Sequence, residues 1–470
     1  MLPRSAIELE YKLPKTSREF RLYLRIISSY SDLLQRIRRD PKTLETLQSL
    51  RLGKIIRIAD HAPWWNRHFQ KNSVAPSSIK KVADLSHITP ITRLDVVDVP
   101  REQLLTRPVN QKRIQVNSTS GSSTGTPFFI VFNRSVSVLD VTGQYVRIMQ
   151  DYGFPFQSQN RKNFLVHFNF FGGVKTLTTA PEQFATPTAL KHVDAEEIRM
   201  REICKTMSDI GPCVLLTHPS ELFFFIQKLK EYGLHPPIKL CMTIGQMLEQ
   251  EVRQLAEEYL LCPAVSIYGL REEMLIASAC KDHPYLLHPF AERAIIEIVD
   301  ARGNTAPNGE FGEMTITGLD NFLMPLIRYQ PGDIARFRPD LSCSCVNQTP
   351  LFEIERKQSE VFVFDKEVKP VRRIARLFGV EPLVSEVKRF QIQQEDPVSI
   401  RILIEVRHPE RGPELSAMTS NLIRSIGYLP PNVAVHVDVV DAIEHEDSKY
   451  KMFVPLQKWE QSAIVRNQPA

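Results

Sequence analysis

Three short segments of this 470-residue chain combine side chains whose types and order could do chemistry. The first is STSGSSTGTP, residues 118–127, just before an apolar run, residues 128–132, that reads as a strand. Glycine lets backbone N–H groups approach an anion closely, and Ser/Thr hydroxyls add donors without charge, so such a loop can wrap a polyphosphate. It is not the lysine-bearing phosphate loop, because no lysine follows Gly125. An ordinary hydroxyl-rich surface loop has the same composition. The second segment, IYGLREE at residues 267–273, follows a strand, and strand ends in α/β sheets are where ligands sit. Tyr268 offers a ring to stack on a base and Glu272 a hard oxygen for Mg²⁺. The third is PLIRYQPGD, residues 325–333, where a Pro-Gly turn presents Asp333. A carboxylate there can accept two ribose hydroxyls, or simply cap a turn.

Cysteine and histidine make a fourth pattern. Cys280 and His283 form C-x-x-H, and Cys343 and Cys345 form C-x-C about 60 residues later. Two close pairs of soft ligands suit a tetrahedral structural Zn²⁺, with His288 as a rival ligand and two ordinary buried thiols as the alternative. Cys204, Cys213, Cys241 and Cys262 lie in apolar contexts and read as core.

The elements that must hold these segments are legible in outline. Helices are expected over residues 17–39 and 41–59, with Pro63 breaking the second. Between residues 114 and 268 short apolar strands alternate with helices, which implies an α/β sheet. Strands are expected at 128–132, 163–168, 239–244 and 264–268, helices at 196–210, 219–232 and 248–259, and a β-hairpin from 295–300 and 311–317. The last ~110 residues read β-α-β-β-α-β, with the first strand at 361–364 and its helix at 370–378, the order of a small ferredoxin-like α+β unit. The expected division is therefore a large domain over 1–355, opening with a helical segment over 1–100, and a small mobile domain over 356–470.

Composition limits the function. Apolar residues make up 43% and charged residues 24%, as in ordinary globular proteins. A net charge of +5 is too small to argue for nucleic acid, and the run RIRR at 36–39 reads as a solvated helix face rather than a phosphate patch. No stretch approaches the ~20 apolar residues of a membrane span. No signal peptide is expected in MLPRSAIELEYKL, and seven cysteines fit a reducing cytoplasm better than a disulfide framework.

Together, in this order and spacing, the three segments resemble the adenylate-forming superfamily of acyl-CoA ligases, peptide-synthetase adenylation domains and luciferases. The resemblance covers nearly the whole chain and points to the phenylacetate–CoA ligase branch with its capsule-biosynthesis relatives. It implies a large α/β adenylate-forming domain of mixed sheets and helices plus the small C-terminal domain. It also implies ATP-dependent adenylation of a small carboxylic acid, then transfer to a thiol of coenzyme A or a carrier protein, or to an amine. Carried over by position, Ser120, Gly121, Ser122, Ser123, Gly125 and Thr126 would cradle the phosphates. Gly245, Gln246, Tyr268 and Gly269 would border adenine and the acyl pocket. Glu272 would bind Mg²⁺, Asp333 the ribose, and Arg356 would match the hinge arginine. Lys449 would contact the carboxylate and α-phosphate, and Cys280, His283, Cys343 and Cys345 would hold the zinc. The acid pocket would be bordered by residues 163–173, with His167, and by the helix after His218. The chain departs from the pattern at Thr124, an added residue, at Arg271, Gln246 and Ser448, and in the hinge ERKQSE. These departures motivate the alternative, a nucleotide-binding relative that has lost ligation. A homodimer is compatible with this reading; nucleic acid and a membrane span are not expected.

Overall fold

The computed structural model describes residues 29–110, 114–118, 128–154, 164–169, 173–177, 196–300, 302–345, 349–357, 361–364, 368–371, 374, 376–379, 382–443, 453–454 and 456. They fall into two compact units, divided between Glu355 and Arg356.

In the first unit, helix Pro41–Ala59 begins where its sequence says it must. Asp40 accepts hydrogen bonds from the Lys42 amide at 3.1 Å and the Thr43 hydroxyl at 2.6 Å, and Pro41 takes the first helical position. Pro63 does not merely interrupt this helix; it starts the next, Pro63–Lys71, whose Trp65 donates from Nε1 to the Pro325 carbonyl at 2.9 Å. Leu52, Ile55, Ile56, Trp65 and Phe69 are buried against Leu326, Ile327 and Tyr329. The N-terminal helices thus pack directly beneath the third candidate segment. A further helix, residues 29–39, lies on helix Arg134–Asp151 through a polar seam. Ser31 donates to Gln150 at 2.7 Å, and Gln150 donates back to Asp32 at 3.3 Å. The Tyr30 ring occupies the space that a side chain at Gly143 would fill.

The centre of the unit is a thirteen-stranded mixed sheet. Its parallel part runs Phe164–Asn169, Cys213–Thr217, Ile238–Ile244, Ala264–Leu270. These strands are connected through helices Glu196–Ile210, Pro219–Tyr232 and Gln250–Leu260. Cys213–Thr217 is buried at every position, as a strand covered on both faces must be. Helix Pro219–Tyr232 opens on Pro219 and stops at Gly233, which adopts φ 62°. The sheet continues antiparallel through Met274–Ala279 and Leu287–Pro289. The expected hairpin is present as Ala294–Val299 against Gly312–Gly318. The phosphate-loop candidate hangs from a separate hairpin, Ile114–Ser118 with Phe129–Asn133, in which Ser118 faces Phe129.

The second unit contains a four-stranded sheet whose adjacent strands are Ala434–Val439, Ser399–Val406, Val387–Asp396 and Phe453–Val454. Helix Gly412–Ser425 packs on it through Leu415, Thr419 and Ile423. This differs from the expected order at its start. Val361–Val363 does not join the sheet but pairs with Val368–Pro370 in a hairpin of its own. Of the helix expected over 370–378, Pro370 is in the strand instead, Ile374 is helical, Arg376–Gly379 is a short 3₁₀ turn, and 372, 373 and 375 lie outside the described residues. Pairing with Val361–Val363 keeps Pro370 extended, so the apolar spacing after it cannot wind a helix from that point.

Candidate functional site

The C-terminal ends of three adjacent parallel strands bring the candidate segments together. After Cys213–Thr217 comes His218, whose Nδ1 lies 2.5 Å from the Ile244 carbonyl and therefore carries the proton. After Ile238–Ile244 comes Gly245 at φ 85°, where a side chain would collide with the His218 ring. Gln246 follows, half-buried. On Ala264–Leu270 the register slips between Tyr268 and Gly269. Such a bulge re-aims a side chain. Gly269 is required there, because a Cβ would stand 2.6 Å from the Met274 carbonyl.

Tyr268 is aimed at Asp333: its hydroxyl donates to Oδ2 at 2.5 Å. Burial, and then the Asp333 carboxylate, hold the phenol well above its ordinary range, so it remains a donor. Asp333 is 1% exposed and begins strand Asp333–Phe337 after Gly332, which turns at φ 83°. The turn Arg271–Glu273 places Glu272 beside the same segment, where the Tyr329 hydroxyl donates to Oε1 at 3.0 Å. Glu273 lies under it, 3% exposed and seated on Gly318, where any side chain would overlap its carboxylate. Among the described residues its Oε1 finds no donor. Burial and the Asp320 carboxylate push its pKa well up, against the pull of Arg293.

Two further contacts fix this geometry. Asn117, at the base of the phosphate-loop hairpin, donates to the Arg271 carbonyl at 3.2 Å and reaches the Met274 sulfur at 3.4 Å. Arg328, the arginine of PLIRY, serves the backbone rather than a ligand. It adopts φ 49°, is 1% exposed, and donates to Ile88 and Gly303 carbonyls at 2.7 and 3.0 Å and to Glu297 at 3.2 Å. Ser120, Gly121, Ser122, Ser123, Gly125, Thr126 and Lys449 lie outside the described residues, and only the backbone of Arg356 is described, on strand Phe352–Lys357.

The sulfur cluster forms, with one correction. Ligand atoms of Cys280, His288, Cys343 and Cys345 all lie within 4.8 Å of one another. Sγ of Cys280 and Cys345 are 3.5 Å apart, and Sγ of Cys343 is 3.4 Å from His288 Nε2. His283 is not part of it. The C-x-x-H spacing suggested a ligand, but its Nε2 donates instead to the Ser342 carbonyl at 2.8 Å. With Asp282, which accepts from the Ser344 hydroxyl at 3.0 Å, it braces the loop that carries the C-x-C pair. His288 lies on the other side, its Nδ1 donating to the Thr349 carbonyl at 3.1 Å, which leaves Nε2 as the bare nitrogen.

The basic run is corrected as well. Arg36 and Arg39 are exposed, but Arg38 is 1% exposed and forms a bidentate pair with fully buried Glu292. Gln144 bridges the pair, donating to Glu292 at 2.9 Å and accepting from Arg38 and Arg147. The Arg38 and Arg147 guanidiniums lie 4.8 and 4.3 Å from the Phe290 ring centre. Burial would raise the Glu292 carboxyl, but Arg38 and then Arg147 hold it down at about 2.

Comparisons with known proteins bear on the fold and on the similarity of the whole chain. No protein-family model matches the chain. The phenylacetate–coenzyme A ligase of Aromatoleum evansii is 23% identical over 428 residues, spanning 85% of this chain and 91% of that protein. The Pseudomonas putida phenylacetate–coenzyme A ligase is 22% identical over 64% of this chain and 69% of its own length. Both relatives make the chain similar to the phenylacetate–CoA ligase-like branch of the adenylate-forming superfamily. The same relatives support an adenylate-forming ligase. Its fold matches 2-hydroxyisobutyryl-CoA ligase in the postadenylation state in complex with 2-HIB-AMP, at TM-score 0.67 and 15% identity over 90% of this chain and 91% of that one. No described helix is long and apolar enough to cross a membrane.

Sequence spacing found the segments but not everything in them. Tyr329, Glu273 and Gly318 were missed, because each acts through a partner on another strand. The acid at position 273 directly after Glu272 was the one visible trace.

Proposed function

We propose that the chain adenylates a small carboxylic acid with ATP and passes the acyl group to the thiol of coenzyme A. The convergence of Glu272 and Asp333, each held by a tyrosine hydroxyl at the open end of the parallel strands, is the observation that carries this reading. Asp333 accepts the ribose hydroxyls. The loop Ser120–Thr126 surrounds the phosphates, and Asn117 ties its hairpin to the Arg271–Glu273 turn. Glu272 would hold Mg²⁺, which would neutralise phosphate charge. A carboxylate of the acid attacks the α-phosphorus, the bond to pyrophosphate breaks, and Lys449 offsets the negative charge that accumulates. The thiolate then attacks the acyl carbonyl and AMP leaves. Lys449 belongs to the second unit, which begins at Arg356.

The experiment is ATP–pyrophosphate exchange with aryl, short-chain, hydroxy and fatty acids, without thiol. Exchange with one acid class is expected. ATP binding with silence across every class would favour the binding-only relative that the added Thr124 and the altered hinge suggest.

The sulfur cluster is proposed as a structural Zn²⁺ site of Cys280, His288, Cys343 and Cys345. Bonds of ~2.3 Å to sulfur in a tetrahedron require ligand separations of about 3.7 Å, close to the 3.5 and 3.4 Å observed. Elemental analysis is expected to give about one zinc per chain. His288→Ala should lower zinc affinity about tenfold or more, whereas His283→Ala should leave the stoichiometry intact. Equal loss in both variants would return His283 to the ligand set.

A further inference from the structure

We infer that Tyr329 is a positioning residue for Glu272, one arm of a reciprocal brace in which two tyrosines hold the two nucleotide-site carboxylates across segments. The inference rests on the proposed role of Glu272.

The brace is written in the spacing and completed by the fold. Each segment carries a tyrosine four residues before its acid, Tyr268 before Glu272 and Tyr329 before Asp333. Neither tyrosine serves its own acid. Tyr268 donates to Asp333, and Tyr329 donates to Glu272. The metal-side carboxylate and the ribose-side carboxylate are thereby locked to one another through two rings.

Tyr329 is built for a fixed direction. Its backbone pairs with Ile91 on one side and Ile316 on the other, and its ring is 1% exposed among apolar residues of the N-terminal helices. Arg328 before it holds a left-handed backbone with its guanidinium pinned by Ile88, Gly303 and Glu297. The hydroxyl therefore has little freedom to point elsewhere. It occupies Oε1 of Glu272, while Oε2 accepts nothing from the described residues and is the oxygen left for a cation. A glutamate on a turn between strands has three side-chain torsions to settle; a bond from a core residue settles them before the metal and nucleotide arrive. Phenylalanine at 329 would keep the ring and remove only this bond.

The test uses the full chain with Tyr329→Phe, Glu272→Gln and the double variant. ATP binding is followed by calorimetry across a Mg²⁺ titration and in chelator, beside thermal unfolding and pyrophosphate exchange. Tyr329→Phe is expected to raise the Mg²⁺ midpoint about tenfold. Metal-free ATP binding should stay unchanged and Tm should fall by only a few degrees, the loss of one buried hydrogen bond with the ring kept in place. Glu272→Gln should abolish the Mg²⁺ dependence, and adding Tyr329→Phe to it should do nothing more. An unmoved midpoint in Tyr329→Phe, with Glu272→Gln behaving as stated, overturns the brace alone. A Mg²⁺ dependence that survives Glu272→Gln overturns the role of Glu272 itself, and the inference with it.

Discussion

Glu292→Ala is expected to cost about 3–5 kcal/mol of stability, the loss associated with stranding a buried charge. The carboxylate is fully buried and is the only described acid that meets both Arg38 and Arg147. Without it two guanidiniums face one aromatic ring with Gln144 as their remaining shared partner. Urea unfolding of the variant against the parent checks the value. The same group gives a pH signature. Its folded pKa, about 2, lies below an unfolded carboxyl near ~4.3. Between those values the unfolded chain binds more protons, so stability rises with pH across that window. The contribution is complete above the unfolded value and lost as pH falls through about 2. Glu292→Gln should flatten the dependence of the unfolding midpoint across that range; a slope unchanged from the parent would show that other carboxylates dominate.

Asp333→Ala is expected to lower adenylation at least about 100-fold. Two hydrogen bonds from ribose to an ionised carboxylate are worth roughly 1.5–3 kcal/mol each. Because Asp333 is 1% exposed and already accepts from Tyr268, the variant also leaves a buried phenol without that acceptor. Asp333→Asn separates the effects. It keeps an oxygen for Tyr268 and loses only the charge. If its ATP affinity and exchange rate match the parent, the ribose role of Asp333 is wrong.

Much of the fold was written in local signals. Helix Pro219–Tyr232 is bounded by a proline that can only begin a helix and a glycine that can adopt the left-handed stop, and its limits were expected to the residue. Three of the four parallel strands announced themselves by apolar runs between those helices, but Cys213–Thr217, equally apolar and central, was not expected. What failed did so where a distant partner decides. The spacing after Pro370 suits a helix, but pairing with Val361–Val363 holds its start extended. The candidate site divides in the same way. Glu272, Asp333 and Tyr268 stood out because their segments have fixed spacing. A C-x-x-H spacing cannot say which way an imidazole turns, so His283 read as a ligand although its ring serves Ser342, and His288 takes its place. Arg38 read as solvated because the acid that buries it, Glu292, lies 254 residues away in sequence.

That last bond also has a duration. Arg38 and Glu292 are 254 residues apart, and at roughly 5–20 residues per second a ribosome needs about 13–50 s to travel from one to the other. Trp65 waits equally long for the Pro325 carbonyl, 260 residues on. During synthesis these helices emerge long before their partners, so their apolar faces spend about 13–50 s without the surface they were shaped to cover.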